Sequence, residues 1–124
     1  MPIENERPFE VHVERRDDAV VLEFLGRLDR WGHDDAAAAL AEVVSSAPRV
    51  IVVDLEGLSF MGATGLRCLF DAKLLAEAAG GRMAILNGSG PAHRLLELTG
   101  MDDVLEMVDD PAQLAPPAGD PQRI

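Results

Sequence analysis

Positive charge is scarce in this sequence. Of its 124 residues, 22 are acidic and 11 basic, a formal net charge of −11. Binding to a phosphodiester backbone needs clustered Lys and Arg to displace counterions. The longest basic run here is Arg15-Arg16, followed at once by Asp17-Asp18. Nucleic acid and anionic membrane are therefore not expected as partners, whereas a protein with a basic face would be steered in. Cysteine is nearly missing as well: Cys68 stands alone, which excludes an intrachain disulfide framework and fits a reducing compartment. No apolar run exceeds strand length, so direct membrane insertion is not expected. Met1-Pro2-Ile3-Glu4-Asn5-Glu6 lacks the apolar stretch of a secretory signal. The expected location is the cytoplasm.

The usual catalytic constellations are missing too. His12, His33 and His93 fall on a strand, in a loop and on a helix, and none pairs with another His or Cys at ligand spacing. His33-Asp34-Asp35 is read as the start of a helix rather than a metal site, because adjacent side chains diverge. Cys68 lies mid-helix among Leu66, Leu69 and Ala72 and reads as a small buried hydrophobe. Gly62-Ala63-Thr64-Gly65 and Asn87-Gly88-Ser89-Gly90 are glycine-rich, but neither ends in the Gly-Lys-Ser/Thr of a phosphate loop. No enzyme, metal or cofactor is expected; a protein-binding switch is.

What is there has the size of one domain, with 48% apolar residues to build a core. Phe9 to Glu14 alternates apolar and charged residues and predicts a strand with one wet face. Ala19 to Leu25 predicts its hairpin partner. Gly26 to His33 reads as irregular. Asp34 and Asp35 supply a cap and first-turn carboxylates to a helix that Pro48 ends. Val50 to Leu55 is β-branched and apolar, as in a central strand covered on both faces. A second helix is expected from about Gly65 to Ala79, stopped by Gly80-Gly81. Met83 to Asn87 predicts a strand, Pro91 to Leu98 a helix, and Leu105 to Val108 an edge strand. This β-β-α-β-α-β-α-β order implies an α/β fold whose sheet is partly parallel. The domain spans residues 9–108, after an extension over 1–8. Residues 109–124 form a tail with little to bury, expected to be mobile.

The segment from Asp54 to Leu66 holds the candidate site. A buried strand ends, the chain turns, and Thr64 stands just before a helix. The plain reading of Thr64 is an N-cap whose hydroxyl accepts from a free backbone N–H. A helix N-terminus also stabilises a phosphoryl group, which would add about −1.5 to −2 charges there. Along the helix, Cys68, Leu69, Ala72, Leu75, Ala76 and Ala79 form one apolar arc at 100° per residue. Leu66, Phe70 and Leu74 form a second stripe, flanked by Arg67, Lys73 and Glu77. Either a neighbouring helix covers that stripe or it is a docking surface.

Asp54-Leu55-Glu56-Gly57-Leu58-Ser59-Phe60-Met61, followed by Thr64-Gly65-Leu66, resembles the signature of the STAS domain family, specifically the bacterial anti-sigma factor antagonists (anti-anti-sigma factors). Gly26-Arg27-Leu28-Asp29 resembles that family's Gly-x-Leu-Asp loop. The resemblance implies a four- or five-stranded mixed sheet backed by three to four helices. It also implies a protein-binding role in transcription regulation. An anti-sigma factor that is also a serine kinase would be bound, freeing a sigma factor, and would phosphorylate the hydroxyl residue before the motif glycine. Thr64 is then the acceptor, Asp29 touches the partner from a neighbouring loop, and the helix from Gly65 docks. The partner-binding set is Asp29, Met61, Gly62, Ala63, Gly65, Leu66, Arg67, Phe70 and Leu74. The family's turn is usually Asp-Ser-Ser-Gly, so the aspartate and one hydroxyl are replaced here by Gly62 and Ala63. An alternative is a non-phosphorylated STAS adaptor subunit, as in a lipid-transporting ABC system. Self-association is left open.

Overall fold

A computed structural model of the chain describes residues 8–86 and 90–109. Asn87, Gly88 and Ser89, residues 1–7 of the N-terminal extension and all but Asp109 of the expected tail lie outside the described residues. Five strands lie in the order of the sequence: β1 (Glu10–Arg16), β2 (Ala19–Leu28), β3 (Val50–Met61), β4 (Arg82–Leu86) and β5 (Glu106–Val108). The β1–β2 pair is antiparallel, and β2 to β5 run parallel. Each parallel connection passes through a helix: α1 (His33–Ser45), α2 (Ala63–Ala78) and α3 (Pro91–Thr99), the last followed by a short 3-10 turn at Met101–Asp103. Gly80 and Gly100 take positive φ after α2 and α3, the left-handed ending that glycine adopts without a steric penalty.

The alternation of β2 is complete. Val20, Leu22, Phe24 and Leu28 point into the main core, where they meet Ile51 and Val53 of β3, Ile85 of β4, and Leu40, Leu69 and Leu96 from the three helices. A second cluster, Val50, Val52, Ala84, Leu86 and Val108, lies apart and contains no helix residue. Consecutive residues of β3 thus supply both clusters, so its uninterrupted Val50-Ile51-Val52-Val53 run is buried on both sides. β1 is the outer strand, and every residue of it except Val11 is exposed.

Two expectations are corrected. Gly26 to Leu28 is not irregular but the end of β2, with Leu28 paired to Met61 and fully buried. β3 does not stop at Leu55 either. It runs six residues further through two register shifts, so that 12 residues of β3 stand against 10 of β2. Asp54 Oδ1 accepts from the Glu56 N–H (2.9 Å) at the first irregularity, and the buried side chains then recur as Leu55, Leu58 and Met61. Those bulges carry β3 to the turn where α2 begins.

Candidate functional site

The exits of β2 and β3 lie side by side, at the carboxyl ends of the parallel strands where open α/β sheets place ligand sites. The Gly62 N–H donates to the Leu28 carbonyl (3.0 Å), tying the two exits together. Gly65 then packs directly on Leu28. A Cβ at position 65 would stand 2.8 Å from Leu28 Cγ and Cδ2 and 3.1 Å from Met61 Cγ. Glycine is required there by packing, because Leu28 has no room to retreat in the core.

On the β2 side, Asp29 organises the turn. Its Oδ1 accepts from the Trp31 N–H (3.0 Å) and the Gly32 N–H (3.3 Å), the side-chain-to-backbone bonding that favours Asp in turns. Arg27 spans the two exits: its guanidinium lies 4.3 Å from the Phe60 ring centroid, and its Nε stands 3.6 Å from Asp29 Oδ2. Pro8, Phe9, Arg27, Asp29, Trp31, Gly32 and Asp35 line a cleft of about 260 Å³ here.

On the β3 side the expected cap is overturned. The residue flanking α2 is Gly62, in extended backbone, and it makes no side-chain hydrogen bond. Thr64 is the second residue of the helix itself, exposed, and among the described residues its hydroxyl makes no hydrogen bond. The helix begins two residues early because β3 reaches Met61, leaving one residue for the turn. At α1, similarly, Gly32 rather than Asp34 flanks the helix, and Asp34 and Asp35 occupy the first turn, where the helix dipole favours carboxylates. The first N–H groups of α2 have no intrahelical acceptor, and Thr64 sits among them.

The described α2 residues separate the apolar positions into three groups. Gly65, Cys68, Leu69, Ala72 and Ala76 are buried. Leu75 and Ala79, expected on this arc, are exposed instead; Leu75 sits at its edge, where Cys68, Ala72 and Leu75 face His33, Ala37, Leu40, Ala41 and Val44 of α1 across a groove. Leu66, Phe70 and Leu74 fall on the side of α2 turned away from α1, at 100° per residue. Leu66 and Phe70 are half-buried and Leu74 is 48% exposed. Arg67, on this outer surface, is held at 3.3 Å by Asp71.

Of the other expected partner-binding residues, Asp29 and Gly62 are half-buried and Ala63 is exposed. Met61 and Gly65 are buried and shape the turn without offering surface of their own. Arg27, Phe60 and Trp31 were not singled out by sequence reasoning. Cys68 is buried, and burial pushes its thiol pKa up, reinforced by Asp71 and Asp34, which disfavours the nucleophilic thiolate. Among the described residues no group of His, Cys, Asp and Glu is placed to hold a metal ion, and no helix is long and apolar enough to cross a membrane.

Comparisons with known proteins meet this geometry from outside. The model of the STAS domain family matches residues 10–114. An anti-sigma F factor antagonist of Paenibacillus polymyxa is 26% identical over 102 residues, covering 82% of this chain and 87% of that protein. The crystal structure of an anti-sigma factor antagonist from Mycobacterium paratuberculosis superposes with a TM-score of 0.80 at 21% identity, over 91% of this chain and 94% of the other. The Bacillus cell fate determinant SpoIIAA, solved in its phosphorylated form, superposes with a TM-score of 0.64 at 20% identity, over 86% of this chain and 96% of its own.

Proposed function

The chain belongs to the STAS domain family, and we propose that it is an anti-sigma factor antagonist: it binds an anti-sigma factor of the serine-kinase type, displaces a sigma factor, and is switched by phosphorylation of Thr64. The observation that carries this reading is the Thr64 hydroxyl, exposed in the first turn of α2 and, among the described residues, without a hydrogen bond; the partly exposed Leu66, Phe70 and Leu74 lie on another face of the same helix. A residue committed to capping would have its oxygen occupied by the helix. The names of the relatives point the same way, and one of the superposing proteins exists in a phosphorylated form.

The switch follows from charge and position. The kinase would transfer the γ-phosphoryl group of ATP to Thr64 Oγ1, releasing ADP and the hydroxyl proton. The new group adds about −1.5 to −2 charges at a helix N-terminus, which stabilises it through free N–H groups and the dipole. The same bulk and charge would stand between α2 and a close-fitting partner. Docking favours the unmodified form.

Gly62 and Ala63, standing where the family usually keeps Asp and a hydroxyl residue, favour a second reading: a constitutive adaptor that binds without being modified. One experiment separates the two. The protein is incubated with a purified serine-kinase anti-sigma factor and ATP, and its intact mass is measured alongside Thr64→Ala. A single added phosphate in the wild type only, with weaker binding afterwards, supports the switch. No added mass and equal binding by both proteins supports the adaptor.

A further inference from the structure

We propose that Trp31 is a second anchor of the partner interface, a preset indole that enters an apolar, basic-rimmed slot on the same protein that docks on α2. The inference rests on the partner-binding reading above and adds to it a residue and a chemistry. Trp31 is 79% exposed, the highest value among the exposed large hydrophobic residues described. Its backbone, however, is fixed. Asp29 Oδ1 holds the N–H groups of Trp31 and Gly32, and the Gly32 N–H also donates to the Asp29 carbonyl (3.1 Å). Behind it Gly32 is pressed so closely on Phe9 that a Cβ there would stand 2.6 Å from Phe9 Cβ. The ring itself meets the Arg30 guanidinium, 4.9 Å from its centroid. A fixed backbone beneath a solvent-exposed indole lowers the ordering cost of binding, and Trp is among the residues enriched as interface anchors.

Placement ties this indole to α2. Trp31 lies three residues after Leu28, whose side chain packs on Gly65 and whose carbonyl holds the Gly62 N–H. One partner can therefore span both turns. Charge selects its nature. Asp35 is exposed and lines one cleft with Trp31, Asp34 just before it is fully exposed, and the chain carries −11 overall. A second copy would bring like charge against like, whereas a partner with a basic rim is attracted.

Trp31 is the chain's one tryptophan, so it reports on its own environment. The protein is prepared with 5-hydroxytryptophan, which is excited apart from the partner's tryptophans, and titrated with a purified serine-kinase anti-sigma factor of the source organism. The inference expects acrylamide quenching to fall several-fold in the complex. Trp31→Ala should bind about 30-fold or more weakly at an unchanged melting temperature, and Trp31→Phe should recover most of the loss. A wild-type complex in which quenching is unchanged, or which Trp31→Ala forms equally well, overturns the inference and leaves the partner reading standing. Quenching that falls with the concentration of this chain alone assigns the indole to self-association and also overturns it. Failure of every such anti-sigma factor to bind the wild type removes the partner reading and this inference together.

Discussion

The two ends of the parallel strands are built differently. At the amino ends the chain closes on itself. The Asp18 carbonyl accepts from the N–H groups of Arg49 and Val50 (2.9 and 3.4 Å), the Arg49 carbonyl accepts from Arg82 N–H (2.9 Å), and Gly81 N–H returns to the Ala76 carbonyl (2.8 Å). Ion pairs Arg49–Asp18 and Arg82–Glu106 lie over the same end. At the carboxyl ends of β2 and β3, the one main-chain tie beyond the strand ladder among the described residues is Gly62 to Leu28, an aspartate is committed to its own turn, and an indole and a threonine hydroxyl are exposed. One end consumes its polar groups in holding the sheet together. The other keeps some unspent, and binding needs groups of that kind.

Substitutions can break this contrast, and the largest effect is expected at Gly65. A valine there collides with Leu28 and Met61, costing about 3 kcal/mol by overpacking; urea denaturation should show it, together with loss of partner binding. Asp29→Ala frees two N–H groups of the β2 exit turn and should cost about 1 kcal/mol, while weakening the partner by unfixing Trp31. A smaller effect is expected at the closed end. The hydrogen bond from Arg82 holds the Glu106 carboxyl below its usual pKa. That contribution is present above the unfolded carboxyl value, near 4.3, and is lost as pH falls through the lower folded value. With the two side chains 52% and 35% exposed, it should stay under about 1 kcal/mol. The melting-temperature gap between wild type and Arg82→Ala should therefore close in acid. Thr64→Ala is the smallest: without a capping bond to lose, stability should change by less than about 0.5 kcal/mol. A loss of 1 kcal/mol or more there would restore the capping role that the geometry denies.

Much of the fold was legible because its signals are redundant. β-branched runs, glycine stops and Pro91 each mark one element, and the strand-helix alternation sets the topology. What failed were boundaries that depend on neighbours. Gly26-Arg27-Leu28 has the composition of a loop, yet pairing with the far end of β3 makes it strand. The bulges of β3 break the period-two pattern, so the sequence pattern ends the strand at Leu55 and starts the helix at Gly65. That shift turned Thr64 from a helical residue into a cap. Leu75 fell on the expected arc by angle, but the burial of α2 centres on Leu69, Ala72 and Ala76. Trp31 left a signal, a lone indole in a polar turn, whose meaning depends on exposure, which sequence does not give.

The outer strand has a consequence of a different kind. An unpaired sheet edge is a template on which another chain can polymerise. β1 meets that hazard with polar and charged side chains: Glu10, His12, Glu14, Arg15 and Arg16 are all exposed along seven residues, with His12 joined to Glu10 and Arg16 to Glu14 through short side-chain contacts. At the opposite edge β5 is three residues long, too brief to nucleate a ribbon. Both borders of the sheet therefore discourage growth by strand addition, which disfavours fibre formation from the folded state.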